Sequence, residues 1–198
     1  MPCIVPPAAQ LVAPPGGAGP RLVAVGGLVE RKDPLCALDA LQTLRASGLD
    51  ATLTWVGEGP LRDALTLAAE EKKLTDSLTL AGGRDQEGVI AALRDADIFL
   101  LPTRGENFCV SAAEAIVQGR PVVVGVNGGQ REYVTPENGE LVTVQSGAAY
   151  AEGVMRVWNR RSERSAAAIA ATIGDRFAPD SVLAGYEAAY GEAGATGR

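Results

Sequence analysis

The chain has 198 residues, of which 46% are apolar, and its 18 basic and 24 acidic residues give a net charge of −6. This length favours a single globular domain, and the apolar fraction is too high for a disordered chain. The acidic balance argues against nucleic-acid binding, and no apolar run reaches the roughly 18 residues of a membrane-spanning helix. Because histidine is absent, a Ser-His or Cys-His nucleophile pair and a histidine-ligated zinc are excluded within this sequence.

The cysteines indicate the compartment of the protein, and the composition of its two ends indicates segments outside the folded domain. Cys3, Cys36 and Cys109 are an odd number without C-x-x-C spacing, which favours free thiols in a reducing, cytoplasmic compartment. Residues 1–20 contain six prolines and end in a glycine-rich stretch, which predicts an extended interdomain linker rather than a secretory signal. Residues 191–198 are rich in glycine and alanine, and we predict a flexible tail there.

Between residues 21 and 190, short β-branched runs alternate with helical patterns. In chain order we predict strand 22–25, helix 34–46, strand 51–56, helix 60–73, strand 78–81, helix 86–94, strand 97–101, helix 110–118, strand 121–126, a short helix at 130–134, strand 140–144, and helices 148–159, 164–177 and 179–190. Such alternation is typical of βαβ units with right-handed crossovers. We therefore predict one α/β domain over residues 21–190, with a doubly wound, Rossmann-like parallel sheet of about six strands and helices on both faces.

Glycine recurs where the predicted strands end. The positions are Gly26-Gly27, Gly57 and Gly59, Gly82-Gly83, and Gly128-Gly129. Doubly wound sheets bind ligands beyond the carboxyl ends of their strands. Glycine there lets a ligand approach the backbone, and the next helix N-terminus favours an anion, although glycine also serves tight βα turns without any ligand. Four such turns on one edge favour a ligand site.

The phosphate-binding motifs of common nucleotide-binding folds are incomplete in this sequence. A dinucleotide site needs G-x-G-x-x-G after the first strand, but Gly26, Leu28 and Arg31 occupy those three places. The second strand is followed by only two of the three glycines, and no G-x-x-x-x-G-K-[ST] loop is present. A nicotinamide-dependent oxidoreductase is therefore disfavoured.

The most informative stretch is residues 102–115, which follow the fourth predicted strand. Glu106 lies in the loop, Glu114 lies about one turn into the next helix, and the backbone N–H groups of residues 108–111 lie at the start of that helix. Such N–H groups can bind phosphate, and a carboxylate can accept hydrogen bonds from a ribose diol. Taken alone, each glutamate favours a structural interpretation, Glu106 as a solvated loop acid and Glu114 as an acid that favours the helix dipole. Together they offer partners for the sugar, phosphate and ribose of a nucleotide sugar.

This stretch, P-T-R-G-E-N-F-C-V-S-A-A-E-A-I-V-Q-G-R-P-V-V-V, resembles the E-x7-E signature of retaining GT-B glycosyltransferases of the family-4 type, also called glycosyl transferases group 1. Further segments follow in the family's order. Residues 25–32 resemble G-R-L-x-x-x-K, residues 56–61 V-G-x-G-P-L, residues 96–102 A-D-x-x-x-x-P, and residues 128–139 G-G-x-x-E-x-V…G. The similarity covers about residues 21–143, with a weaker match at 177–190, and residues 4–7 resemble the interdomain segment.

The resemblance implies transfer of a hexose-type sugar, with retention, from a UDP-, GDP- or ADP-linked donor, without a cofactor or an obligatory metal. It implies that Glu106 contacts the donor sugar as the catalytic carboxylate, that Glu114 holds the ribose hydroxyls, and that Lys32 neutralises the diphosphate. The other implied donor-binding residues are Gly26, Gly27, Gly83, Arg84, Phe108, Cys109, Val110 and Ser111. Gly83 and Arg84 would flank the base, and residues 108–111 would supply backbone contacts.

Three positions depart from the family pattern. Gly27 stands where the family has arginine, so one of two cationic phosphate contacts is missing, and Arg31 or an arginine from elsewhere is the candidate replacement. Cys109 and Asp33 stand where the family has glycine. A side chain at Cys109 is expected to crowd the sugar, and Asp33 brings a negative charge near Lys32.

The similarity is confined to the second of the two domains that a GT-B enzyme needs. We therefore expect a carboxy-terminal donor-binding domain that depends on an amino-terminal acceptor domain as its partner and is inactive alone. A non-catalytic module or subunit that binds nucleotide sugars is the alternative from a different class, and the departures at Gly27, Cys109 and Asp33 keep it open.

Overall fold

The structure is a computed structural model that describes residues 3–195, with side chains to residue 188. Its strands are β1 (Arg21–Val25), β2 (Thr52–Val56), β3 (Leu78–Gly82), β4 (Ile98–Leu101), β5 (Val122–Gly125) and β6 (Gly139–Val142). Its α-helices are α1 (Pro34–Ala46), α2 (Arg62–Glu71), α3 (Gln86–Arg94), α4 (Val110–Val117), α5 (Gly147–Asn159), α6 (Ala166–Ala171) and α7 (Pro179–Ala195). Short 3-10 turns occur at Glu30–Lys32, Thr75–Ser77, Gly129–Glu132 and Arg161–Glu163.

The six strands form one parallel sheet in the order β3-β2-β1-β4-β5-β6, with helices on both faces. The predicted doubly wound fold is therefore confirmed. Strand order reverses between β1 and β4, and loops from the two strands leave in opposite directions there, which opens a crevice beyond their carboxyl ends. All residues of β4 and β5 are buried, because helices cover both sides of the sheet. Both faces of each of these strands therefore carry apolar side chains.

Two predicted helices differ from the observed ones by more than two residues at one end. The pattern that predicted a helix at 164–177 forms only the short helix α6, because the chain turns after Ala171 and Gly174 adopts a positive φ of 46°. The predicted helix length was wrong there. The last helix continues to Ala195, past its predicted end at Tyr190, so residues 191–195 of the predicted flexible tail are helical. Residues 196–198 lie outside the described residues, as do residues 1 and 2 of the predicted linker.

Residues 3–20 lack regular secondary structure, as predicted, but they pack along the domain, and we call them the N-terminal strap. The backbone N–H of Val5 donates to the carbonyl of Phe177 at 2.8 Å, and Gly16 N–H donates to the Asp97 carboxylate at 2.7 Å. The fully buried guanidinium of Arg120 donates to the carbonyl of Val12 at 2.9 Å. These contacts anchor both ends of the strap. Its role as an interdomain linker stays a prediction.

No helix within residues 3–195 is long and apolar enough to cross a membrane.

Candidate functional site

A cleft of about 1110 Å³ lies beyond the carboxyl ends of β1, β4 and β5, at the crevice that the topology predicts. Its lining residues are Cys3, Val25, Gly26, Arg31, Lys32, Gly105, Glu106, Asn107, Phe108, Cys109, Val110, Ser111, Glu114, Asn127, Gly128 and Arg131. Eight of the eleven predicted site residues are among them. The fold therefore brings the two glutamates, the lysine and the start of α4 into one cavity.

The turn after β1 carries Lys32 into this cleft. A side chain added at Gly26 would place its Cβ 3.2 Å from Lys32 Cε, and Gly26 has a φ of 156°, so this position needs glycine for the lysine to pack against it. The Gly26 carbonyl accepts a hydrogen bond from Trp55 Nε1 at 2.8 Å. The Lys32 side chain therefore packs closely over the backbone of Gly26.

The carboxylate of Glu106 is the centre of a charged cluster. Lys32 Nζ donates to Glu106 Oε1, which also accepts from Thr103 Oγ1 at 2.9 Å, and Arg31 Nη1 pairs with Oε2 at 2.8 Å. The Glu106 side chain is only 9% exposed. Burial alone raises its pKa, but the hydrogen bond and charge of Lys32, joined by Thr103 and Arg31, outweigh burial and hold this pKa below its ordinary value of 4.5. Glu106 is therefore ionised at neutral pH.

The loop that carries Glu106 is attached to the segment after β5. Glu106 N–H donates to Asn127 O at 3.1 Å, and Gly129 N–H donates to Glu106 O at 3.3 Å. A Cβ at Gly128 would lie 2.1 Å from the Glu106 carbonyl oxygen. At Gly128, as at Gly57, the packing of the neighbouring backbone itself requires glycine. Gly128 also lines the cleft, and the expectation that these turns admit a ligand stays a prediction.

Helix α4 begins in the cleft with unused backbone donors. Among the described residues, the N–H groups of Phe108, Cys109, Val110 and Ser111 have no hydrogen-bond acceptor. Cys109 is the N-cap and has φ 63°, in the left-handed region. Four free donors at the positive end of a helix form a binding site for an anion.

Beneath the cleft, the Phe108 ring packs among aromatic side chains. Its centroid lies 5.2 Å from that of Tyr133 and 4.8 Å from that of Phe177. The Tyr133 hydroxyl contacts the carbonyl oxygens of Phe108 and Cys109 at 2.8 and 2.7 Å. The Phe108 side chain is therefore structural, and the predicted contact of its backbone with the donor stays a prediction.

Glu114 lies in the first turns of α4 and lines the same cleft. Burial raises the pKa of its carboxyl above 4.5, and no positively charged group counters this effect. Within the part of the chain that the structure describes, the Glu114 side chain has no hydrogen bond or ion pair. A half-buried carboxylate with free acceptor positions is suited to a diol.

The structure shows how Asp33 and Cys109 are accommodated at positions where the family pattern has glycine. Asp33 and Cys109 both adopt left-handed backbone conformations, with φ of 50° and 63°. The Asp33 carboxylate pairs with Arg104 at 2.8 Å and accepts from Gln145 Nε2 at 2.8 Å, and it lies outside the cleft that holds Lys32. The charge of Asp33 is therefore offset by Arg104. Cys109 is 4% exposed, and burial raises the pKa of its thiol to about 11, so it is a neutral, largely covered group.

Three predicted residues do not line the cleft. Gly27, Gly83 and Arg84 follow β1 and β3, and their predicted roles toward phosphate and base stay predictions. Conversely, Thr103 and Arg131 were missed as site residues, and Arg31 was named only as a candidate replacement. A threonine or arginine in a loop carries no spacing signal, and only the fold brings Thr103 and Arg31 to Glu106.

No group of three or more histidine, cysteine, aspartate or glutamate side chains within the described residues is arranged to hold a metal ion. The expectation that no metal is needed stays a prediction.

Solved structures first define the fold. The chain superposes on the lipopolysaccharide outer core galactosyltransferase WaaB with a TM-score of 0.82 at 20% identity, covering 96% of this chain and 54% of that one. It superposes on Anabaena HepE, solved with UDP and glucose, with a TM-score of 0.74 at 20% identity, covering 89% and 48% of the two chains. At this identity the comparison shows the fold, which is that of a GT-B glycosyltransferase domain.

Sequence comparison then defines the family. The profile described as glycosyl transferases group 1 matches residues 15–173, and the chain belongs to that family. A 2-deoxystreptamine glucosyltransferase of Streptomyces kanamyceticus is 33% identical over 115 residues, 58% of this chain and 30% of that protein. The GDP-mannose-dependent alpha-(1-6)-phosphatidylinositol dimannoside mannosyltransferase of Mycobacterium tuberculosis is 35% identical over 120 residues, 60% of this chain and 30% of that protein. The chain thus spans well under half the length of these relatives.

Proposed function

We propose that the cleft binds a nucleotide sugar and that the chain is the carboxy-terminal donor-binding domain of a retaining glycosyltransferase of the family-4 type. The arrangement of Glu106, the free N–H groups of α4 and Glu114 along one cleft is the observation that carries the proposal. It offers, in order, a carboxylate for the sugar, donors for the phosphates and acceptors for the ribose. The donor is a UDP-, GDP- or ADP-linked hexose.

In this proposal the protein stabilises charge that develops as the sugar leaves the diphosphate. The ionised Glu106 carboxylate faces the positive charge that forms on the sugar ring. Lys32 and the N-terminus of α4 stabilise the negative charge on the departing diphosphate. Lys32 and Glu106 are already held by their contact with each other and by the hydrogen bond from Thr103, so little reorganisation accompanies the reaction. No metal ion is required in this scheme.

The proposal includes a partner domain. The two sequence relatives are much longer than this chain, so an amino-terminal domain is expected to bind the acceptor and to complete the active site. The chain alone is expected to be inactive. A cytoplasmic setting is part of the proposal and is supported by three free cysteines.

The test is transfer by a reconstituted enzyme. The chain would be joined to the amino-terminal domain of a related glycosyltransferase and incubated with UDP-, GDP- and ADP-sugars and that relative's acceptor. Proton NMR of the product reads the anomeric configuration. The proposal predicts product with the donor's configuration, lost in Glu106→Gln but retained in the surface variant Glu87→Gln. An inverted product would contradict retention.

A non-catalytic nucleotide-sugar-binding module is the second candidate. It is favoured by the engagement of both Glu106 oxygens with Lys32, Thr103 and Arg31, which leaves the carboxylate fewer acceptor positions for a sugar. Tight donor binding together with no transfer by any reconstituted pair, while the relative's own donor domain is active, would favour the module.

A further inference from the structure

A second cavity, of about 240 Å³, lies at the amino ends of the strands, and we call it the amino-end cavity. Its lining includes Ile98, where β4 begins, and Pro121, which directly precedes β5. The cleft that holds Glu106 lies beyond the carboxyl ends of the same two strands. A strand of four residues spans roughly 10 Å, so a small molecule in one site leaves the other site open.

Apolar side chains from three elements form the wall of the amino-end cavity. Val157 and Trp158 come from the end of α5, Ile169 from α6 and Ile98 from β4, and all four are buried. Pro14 of the N-terminal strap lines another side, and the hydrogen bonds of the strap on either side of Pro14 hold it there. An apolar cavity of about 150 Å³ is enough to bind benzene, so this larger cavity can hold one ring together with a polar head group.

Three arginines line the same cavity, namely Arg160, Arg161 and Arg164. Arg160 pairs with Glu163 at 3.1 Å. Arg164 is half-buried, and among the described residues its side chain has no hydrogen bond or ion pair. Arg164 therefore supplies a positive charge and five N–H donors that the protein itself does not use.

The guanidinium of Arg161 is held against the tryptophan. Its Cζ lies 4.2 Å from the centroid of the Trp158 ring, and its Nη1 donates to the Trp158 carbonyl at 2.9 Å. Within the described part of the chain, its Nε and Nη2 have no acceptor. Because the planar group is already stacked and hydrogen-bonded, it can bind a carboxylate or a phosphate with little further loss of side-chain freedom.

The acids near the cavity do not use these free donors. Asp97 lines the cavity, but its carboxylate oxygens accept from the backbone N–H groups of Gly16 and Arg21 at 2.7 and 2.9 Å. Glu163 is paired with Arg160, and over residues 3–188 the exposed Glu137 forms no ion pair with any of the three arginines. The arginines outnumber Asp97 and Glu163, so the lining favours an anion.

We propose that the amino-end cavity is a second binding site, for a small organic anion with an apolar body about the size of one ring. The body lies against Trp158 and Ile169, and the carboxylate or phosphate of the ligand accepts from Arg161 and Arg164. A neutral or cationic compound of the same shape loses the charged hydrogen bonds and binds more weakly. The inference goes beyond the proposed function, because this site is separate from the cleft and does not require a nucleotide sugar.

NMR of the isotope-labelled chain tests the proposal, with benzoate and phenyl phosphate as anionic probes and benzamide and benzylamine as neutral and cationic probes of similar shape. The sequence has two tryptophans, and their indole N–H signals report on different places. Trp158 lines the amino-end cavity, whereas Trp55 donates to the Gly26 carbonyl beside the cleft. Trp158→Phe assigns the two signals. We expect both anions to shift the Trp158 signal saturably and the Trp55 signal little, with benzoate at least tenfold tighter than benzamide.

Two arginine variants locate the charge that binds the probe. Arg164→Gln should weaken benzoate binding at least fivefold, whereas Arg156→Gln, at a half-exposed arginine of α5 outside the cavity, should leave it within twofold. Thermal unfolding of each variant checks that the fold is retained. The absence of a saturable Trp158 shift with both anions would overturn the inference. Equal affinity for benzoate and benzamide, or a benzoate affinity of Arg164→Gln within twofold of the unaltered protein, would do the same.

Discussion

Lys32 Nζ donates a hydrogen bond to Glu106 Oε1, although 74 residues separate the two in the chain. The lysine belongs to the turn after β1 and the glutamate to the loop after β4, so the contact spans the point where the strand order reverses. It joins the group proposed to stabilise the leaving diphosphate to the group proposed to face the sugar. Binding and chemistry in this cleft are therefore expected to depend on one ion pair.

Replacing Glu106 by glutamine should lower stability in a pH-dependent way. The folded-state pKa of Glu106 lies below its ordinary value, so its contribution is present above about pH 4.5 and is lost as the pH falls through the folded-state pKa. At pH 7 we expect Glu106→Gln to reduce the unfolding free energy by about 1–3 kcal/mol, the range for hydrogen bonds to a charged group. Urea unfolding at pH 7 and pH 3 measures the difference, which should shrink at pH 3. If the difference in unfolding free energy were the same at pH 7 and pH 3, the ionised Glu106 would not be its cause.

Replacing Glu114 should raise the stability of the protein while it weakens nucleotide binding. Burial raises its folded-state pKa, so the ionised form disfavours folding above the unfolded pKa, and Glu114→Gln should stabilise the protein at pH 7 but not below pH 4.5. The same variant should weaken nucleotide binding by about 1.5–3 kcal/mol, because the ribose loses a charged acceptor. Thermal unfolding and calorimetry measure both effects. Glu87→Gln, on an exposed helix end, is the control. Unchanged nucleotide affinity in Glu114→Gln would show that Glu114 does not bind the ribose hydroxyls.

Because the backbone at Cys109 is left-handed, two substitutions at this position should differ in their effect on stability. A β-branched residue is strongly disfavoured at φ 63°, whereas glycine adopts this conformation without strain. We expect Cys109→Val to be less stable than Cys109→Gly by about 2 kcal/mol. Chemical unfolding measures the gap. Cys36→Val in helix α1 is the matched control, since Cys36 is buried at a helical φ and should tolerate valine. A valine variant as stable as the glycine variant would contradict the strain argument.

Outside the cleft, we expect substitution of Arg120 to cause the largest loss of stability. Its guanidinium is fully buried and donates to the carbonyls of Leu93 at 2.9 Å, Arg94 at 3.0 Å and Val12 at 2.9 Å. Arg120→Met keeps much of the side-chain volume but leaves these acceptors without a donor, so we expect a loss of roughly 2–4 kcal/mol. Arg156→Met, at a half-exposed arginine, should change stability by less than about 0.5 kcal/mol. Comparable losses in both variants would show that the buried contacts are not the cause.

Local signals allowed part of the fold to be predicted from the sequence. Helix α3 was predicted with its observed bounds because Asp85 marks its start, and the Asp85 carboxylate accepts from Gly88 N–H at 2.9 Å. Helix α1 was predicted equally well from the helical spacing of Leu35, Leu38, Leu41 and Leu44 and from Gly48 after its end. Helix α6 was predicted too long, because an apolar pattern continues from Ala171 to Phe177 while the backbone turns.

The candidate site was predictable only as a set of motifs. The spacing of Glu106 and Glu114 and the start of α4 were visible in the sequence and lie together in the structure. The contacts of Arg31 and Thr103 with Glu106 were not predictable, because they join residues that only the sheet topology brings together. The packing of the N-terminal strap was missed for the same reason.

The central claim is that this chain binds a nucleotide sugar through the cleft between Lys32 and Glu114. Its most direct test is titration calorimetry of the unaltered chain and of Glu114→Ala with UDP-, GDP- and ADP-glucose. The account predicts saturable one-to-one binding of at least one of these donors, with an affinity at least tenfold lower in Glu114→Ala. The absence of binding by the folded, unaltered chain to all three donors, or equal affinity in the variant, would contradict it.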